Sequence, residues 1–219
     1  MRPLVYAPPL TPHLRVLHED ADLLLVSKPS GLLSVPGKHA DHADCLEARA
    51  QSLFPEARIV HRLDMDTSGV MVLARTSAAH RHVGLQFEKR RVSKRYIARV
   101  WGDVTGETGE INAPIVCDWP NRPRQMIDHD RGRGAITSWR VIAREEVGHT
   151  RVELLPKTGR SHQLRVHMLC LGHPILGDNI YAHQDARDNA DRLQLHAELL
   201  GFRHPTGGRE MTFEDPCPF

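Results

Sequence analysis

The sequence predicts an α+β protein whose strands pair mostly antiparallel. Short apolar, β-prone runs recur from Leu14 to Phe213, and several stand in pairs around hairpin-type turns. A few stretches instead carry the 3.6-residue spacing of a helix with one buried stripe. With 219 residues the chain can bury one substantial core or two lobes on one sheet, and one domain with lobes is the expectation. The 29 basic and 27 acidic residues give a net charge of +2, which announces no nucleic-acid binder by itself. The distribution of charge has to carry that argument, and the fifteen histidines add positive charge as pH falls.

Met1 to Val16 holds four prolines and no apolar core segment, which excludes a secretory signal or a membrane span there. Residues 1–13 read as an extended arm and 14–219 as one domain. Cys45, Cys117, Cys170 and Cys217 are scattered without a C-x-x-C pair, against a disulfide framework or a Cys-built zinc site. A reduced, cytoplasmic protein fits.

Leu14–Leu17 and Asp22–Val26 are apolar runs around the turn Glu19-Asp20 and predict a hairpin. Lys28-Pro29-Ser30-Gly31 ends the second run as a breaker-rich loop, with Lys28 expected to be exposed. Leu46, Ala50 and either Leu53 or Phe54 fall on one face of a helix that Pro55 stops. Val70–Ala74 is a short β-branched run suited to a strand buried on both faces, fed by the turn Thr67-Ser68-Gly69. Asp64 therefore lies on irregular backbone held by a rigid sheet. Such a carboxylate is either a turn cap or a reactive group presented by a loop.

Ser77 caps a second predicted helix with Ala79, Val83 and Phe87 on one face. It runs into Lys89, Arg90, Arg91, Lys94 and Arg95, five cations in seven residues. These serve either as a solvated helix end favoured by the dipole or as a phosphate-contacting patch. Tyr96–Trp101 alternates as a strand, in which Tyr96 could be a packing residue or a catalytic one. Gly102–Gly134 reads as a long loop region with one short strand near Ile111–Val116. Within it Trp119, Arg122 and Arg124 combine an indole with guanidiniums, as an RNA-facing surface or as a proline-stiffened turn with Trp119 packed inward.

Ala135–Ile142 and Thr150–Leu155 flank the hairpin turn Glu145–Gly148. Ser161 is the candidate N-cap of a helix with Leu164, Met168 and Leu171 as its stripe and Gly172 as its stop. Arg165, next to the stripe, needs an anion, with Asp178 and Glu198 available from sequence. His61, His162, His167 and His173 match no zinc spacing and read as packing or hydrogen-bonding residues. Two final strands cover Leu195–Phe202 and Glu210–Phe213.

Several of these stretches together resemble the RluA family of RNA pseudouridine synthases. The carriers are His-Arg-Leu-Asp-x-x-Thr-Ser-Gly from His61 to Gly69 with Ala74, Lys94-x-Tyr96-x-Ala98, and Thr158 to Met168 closing with Gly172-His173-Pro174-Ile175-x-Gly177-Asp178. Lys28-Pro29 followed by Ser-Gly is similar to the start of the family's catalytic domain, and residues 118–125 look like its narrower RluA branch. The resemblance implies a pseudouridine synthase fold, with a central mixed, mostly antiparallel sheet, peripheral helices and an RNA-binding cleft.

It further implies Asp64 as the catalytic carboxylate, Tyr96 stacked on the target uracil, Arg165 paired with Asp64, and Leu195 as a pocket wall. Arg62, immediately before Leu63-Asp64, is placed to fill the space a flipped base leaves or to hold the displaced strand, while Lys89, Arg90, Trp119 and Arg122 are candidate RNA contacts. The implied substrates are transfer RNA in the anticodon stem-loop and large-subunit ribosomal RNA. A uridine isomerisation exchanges no electrons, so no cofactor and no metal are implied, in keeping with the absence of a P-loop or G-x-G-x-x-G motif. No S4-like domain is expected, nor an obligate protein partner, and a monomer is expected. Two other classes stand beside this one: an RNA-binding module without catalysis, and a carboxylate-based N-glycosidase.

Overall fold

The computed structural model describes residues 6–145 and 148–219. Strands β1 (Arg15–Glu19) and β2 (Leu23–Lys28) pair antiparallel as the predicted hairpin. Asp20 closes its turn by accepting the amides of Asp22 and Leu23, each at 2.8 Å. Helix α1 (Leu46–Leu53) starts at Cys45, whose Sγ accepts the Ala48 amide. Leu53 is 60% exposed, so the half-buried Phe54 completes the apolar stripe.

After the short β3 (Arg58–Ile59), β4 (Ser68–Ala74) is buried along its whole length. It begins earlier than Val70 because Gly69 is already in register with Lys28. Gly69 has φ +121°, and a Cβ there would lie 2.2 Å from the Ala197 carbonyl oxygen, so only glycine fits. Helix α2 (Ser77–Glu88) is capped by Thr76 rather than Ser77, through Oγ1 accepting the Ala79 amide. Ala79 and Val83 are buried as predicted.

Strand β5 (Ser93–Trp101) follows. The stretch Gly102–Gly134 holds three strands where the sequence predicted one: β6 (Thr108–Asn112), β7 (Ile115–Cys117) and β8 (Gln125–Ile127). Each is too short to print a period of its own, and β6 is stabilised by a partner distant in sequence. That partner is β9 (Ile136–Glu145), which also pairs with β10 (His149–Pro156). Glu146 and Val147 of the predicted turn lie outside the described residues.

Helix α3 (Gln163–Cys170) is preceded by His162 in left-handed conformation, φ +54°, with no side-chain cap, so Ser161 is not the N-cap. All residues from Gln163 to Met168 are buried, not one stripe alone. The polar members are satisfied: Gln163 bonds Thr158 and Thr137, and His167 bonds Thr137 and the Ala113 carbonyl. Burial holds the His167 imidazole below its usual pKa, against the opposing pull of the Ala113 bond. Gly172, at φ +89°, ends the helix as predicted. Helix α4 (Gln184–Asp188), β11 (Leu195–Arg203) and β12 (Glu210–Glu214) complete the chain.

Two compact units result, one comprising residues up to Ser93 with Ala197–Pro218, the other Lys94–His196 with Phe219. In the first, the strand order is β1-β2-β4-β11, with β3 on β4 and β12 on β11. Its core joins Leu23, Val70 and Val72 to Ala79 and Val83 of α2 and Leu200 and Phe202 of β11. In the second, the order is β5-β10-β9-β6, beside a β7-β8 ribbon. Its core sets Ala98, Val152 and Leu154 against Leu164 and Met168 of α3. Among the described residues no helix is long and apolar enough to cross a membrane.

Candidate active site

Asp64 sits in the loop that leads into β4, and the first unit clamps that loop by its backbone. Ser34 Oγ donates to the Leu63 carbonyl at 2.7 Å and accepts the Leu63 amide at 3.1 Å. Ser30 Oγ donates to the Asp66 carbonyl at 2.7 Å, and the Thr67 amide donates to the Asp64 carbonyl at 3.2 Å. The Met65 carbonyl accepts both the Gly31 amide at 3.0 Å and Lys28 Nζ at 2.7 Å.

Lys28 is the residue that sequence reasoning misplaced. It is fully buried, and Nζ also donates to the carbonyls of Pro29 at 2.9 Å and Leu32 at 2.6 Å. Its position closing the unbroken run Leu23–Ser27 was the available signal for burial. The Asp64 side chain is half-buried, and its carboxylate is hydrogen-bonded to none of the described residues of its own unit. The loop is thus held on both sides of Asp64 by bonds to its backbone. Arg62, two residues before, is exposed. His61 accepts the Val72 amide at 3.2 Å through Nε2 and stacks on Phe87 at 4.4 Å, a packing role as predicted.

The cation cluster is narrower than its sequence suggests. Lys89, Arg90 and Arg91 are exposed at the end of α2, with Arg90 at φ +56°. Lys94 and Arg95 are half-buried, and Lys94 Nζ donates to the Thr158 carbonyl at 3.2 Å inside the second unit.

The second unit brings three of the predicted residues into one neighbourhood. Tyr96, half-buried on β5, packs against the core cluster that contains Leu195 and Leu164. Arg165 follows Leu164 on α3 and is 2% exposed. Its anion within the unit is Asp178, also buried: Nε donates to Oδ2 at 2.8 Å and Nη2 to Oδ1 at 2.6 Å. Two parallel charge-assisted bonds fix the plane of the guanidinium as well as its charge. Trp119 is 66% exposed and not packed inward, and Arg122 lies over its ring at 4.7 Å. Of the other histidines, His162 bonds the Tyr181 hydroxyl and His173 bonds the Trp101 carbonyl.

The first unit thus carries a carboxylate on a clamped loop, and the second, separately, a strand tyrosine on an apolar cluster and a buried, oriented arginine. Residues 22–169 match the family described as RNA pseudouridylate synthase. The chain is 52% identical over 204 residues to the dual-specificity RNA pseudouridine synthase RluA of Yersinia pestis, covering 93% of this chain and 99% of that one. It is 50% identical over 214 residues to the protein of the same name from Escherichia coli K12, covering 98% of each. Among solved structures, human RNA pseudouridylate synthase domain containing 1 superposes with a TM-score of 0.79 at 30% identity, over 97% of this chain and 87% of that one.

Proposed function

The chain belongs to the RNA pseudouridylate synthase family and is an RNA-modifying isomerase of α+β fold, and on that premise we propose that Asp64 is its catalytic carboxylate. The observation that carries this is the clamp. Hydrogen bonds to the backbone of Leu63, Met65, Asp66 and Thr67 pre-organise a carboxylate that its own unit leaves unengaged. In the reaction the N1–C1′ bond of a uridine breaks, the uracil turns, and C5 bonds to C1′; C5 gives up its proton to solvent and N1 takes one up, so the product is an isomer. Nothing is oxidised or reduced, so the chain's own side chains suffice. An ionised carboxylate beside the sugar acts either by attack at C1′ or by taking the C2′ proton.

In this reading Tyr96 supplies the stacking surface for the base and Leu195 a wall of the pocket. Arg165 supplies a fixed positive charge to the site. Arg62 fills the space left by the extruded base, where unstacking costs a few kcal/mol. Trp119 with Arg122 offers a stacking platform, and Lys89 and Arg90 meet phosphates. The substrates are structured RNA loops, the transfer RNA anticodon stem-loop and large-subunit ribosomal RNA, acted on in the cytoplasm by a monomer. Support for this breadth is the near full-length identity to relatives named dual-specificity.

RNA carrying tritium at uracil C5 tests the reading. Tritium release with the base retained is expected from the wild-type protein, and Asp64→Asn should lower the rate at least about a thousandfold. Free uracil would establish a glycosidase, and neither product an RNA-binding module.

A further inference from the structure

We propose that the turn Asp178–Tyr181 is a positioning element that fixes Arg165 with its first two residues and the RNA-facing loop Trp119–Gln125 with its last two. The inference rests on the roles proposed above for Arg165 and that loop. The four residues divide their contacts by position. Asp178 holds Arg165 through both carboxylate oxygens, and Asn179 Oδ1 accepts a further bond from Arg165 Nη2 at 3.3 Å. The Ile180 carbonyl accepts Arg124 Nη1, and the Tyr181 hydroxyl accepts the Gln125 amide at 2.8 Å.

The two halves are not independent. Asp178 Oδ1, which binds Arg165, also accepts the amides of Ile180 at 2.9 Å and Tyr181 at 3.0 Å, so one oxygen sets both the arginine and the backbone of the turn. The Tyr181 ring lies 5.1 Å from the guanidinium carbon of Arg165 and 5.1 Å from that of Arg124. A single aromatic face system therefore touches the arginine and the loop. Burial pushes the phenol up to about 12, so it keeps its proton. Its hydroxyl accepts from Gln125 and shares a second hydrogen bond with His162 Nδ1 at 2.7 Å, which ties it to the residue that precedes α3. Gly177 fixes the entry to the turn: at φ +71°, an added Cβ would stand 2.0 Å from the Arg192 carbonyl oxygen.

A buried ion pair that only stabilised the fold would predict one common effect for changes at either end of the turn. A positioning element predicts two different ones. Steady-state kinetics of the full chain on a stem-loop RNA tritiated at C5 separates them. Asp178→Asn loosens Arg165 and should lower kcat about 10- to 100-fold while KM stays within about twofold, since displacement at a reacting centre costs rate before binding. Tyr181→Phe keeps the ring but removes the hydroxyl from Gln125, and should raise KM about five- to tenfold with kcat within about twofold.

If Asp178→Asn fails to fold, as a thermal melt would show, Asn179→Ala removes one contact to Arg165 from the surface and should give a smaller fall in kcat alone. Both variants moving the same parameter, or losing activity only in proportion to unfolded protein, would overturn the proposal. Absence of tritium release from the wild-type protein would instead overturn the reading on which it rests.

Discussion

Asp64 owes part of its fixed backbone to Lys28. The carboxylate proposed as catalytic gains from fixed backbone, and the fixed point here is a buried ammonium that donates to three carbonyls, those of Pro29, Leu32 and Met65. Replacing Lys28 with methionine keeps most of the volume but strands those acceptors, at about 1 to 3 kcal/mol for each one left without a partner. Lys28→Met should therefore destabilise the protein by about 3 kcal/mol or more in urea unfolding. It should also lower turnover beyond what the folded fraction explains, because Met65 is the neighbour of Asp64. An unchanged unfolding midpoint would show that the bonds are incidental. The run Leu23–Ser27 hinted at burial of this lysine, but its contact with Met65 was not legible, since Met65 lies 37 residues further on and Lys-Pro-Ser-Gly reads locally as an exposed loop. The placement of Asp64 on a loop feeding β4 was legible because its context, turn residues before an apolar run, is itself local, whereas its catalytic role was implied only by the family resemblance.

Elements were legible where their chemistry was local and obscure where it was not. The β1-β2 hairpin, α1, α2 and the β9-β10 pair appear near their predicted places because period and turn residues lie within each segment. Strand β6 escaped because its partner β9 supplies its order, and Ser161 failed as a cap because His162, in left-handed conformation, stands between it and the first turn of α3. The β1-β2 turn shows how two elements are pinned by one side chain. Asp20 Oδ2 meets His18 Nε2 at 2.9 Å and His204 Nε2 at 3.2 Å, the latter just after β11, and Thr206 donates to Asp22 at 2.6 Å. Burial alone would raise the Asp20 pKa. The bonds from His18, from the Asp22 and Leu23 amides and from His204 outweigh it and bring the value down from 3.8 to about 2. A depressed carboxylate pKa stabilises above the unfolded value and loses that contribution as pH falls through the folded one. Asp20→Asn should thus cost about 1 to 2 kcal/mol at pH 6, and the gap from the wild type should close between about pH 4 and pH 2. Urea titrations across that range check it, and a gap that persists at pH 2 would assign the cost to something other than charge.

For the whole molecule, net charge and sequence order are both poor guides. The first unit takes its sheet from both ends of the chain, β1, β2 and β4 from one side and β11 and β12 from the other, an arrangement that no local pattern announces. Likewise a net charge of +2 conceals three exposed cations in consecutive positions, Lys89 to Arg91, just where α2 ends. Affinity for a polyanion depends on how many phosphates are neutralised locally, because each contact releases condensed counterions, and the charge of the rest of the surface contributes little at physiological salt. A chain nearly neutral overall can therefore show a steep salt dependence if its cations are grouped. Fluorescence anisotropy with a stem-loop RNA between roughly 50 and 200 mM salt should show log affinity falling linearly with log salt for the wild type. Lys89→Ala with Arg90→Ala should flatten that slope by about 1.5, two contacts at roughly 0.7 to 0.9 each, and weaken binding to unrelated sequences equally. An unchanged slope would mean that these side chains only solvate the helix end, and that the phosphates are met by other residues, with Arg122 beside Trp119 the next to change.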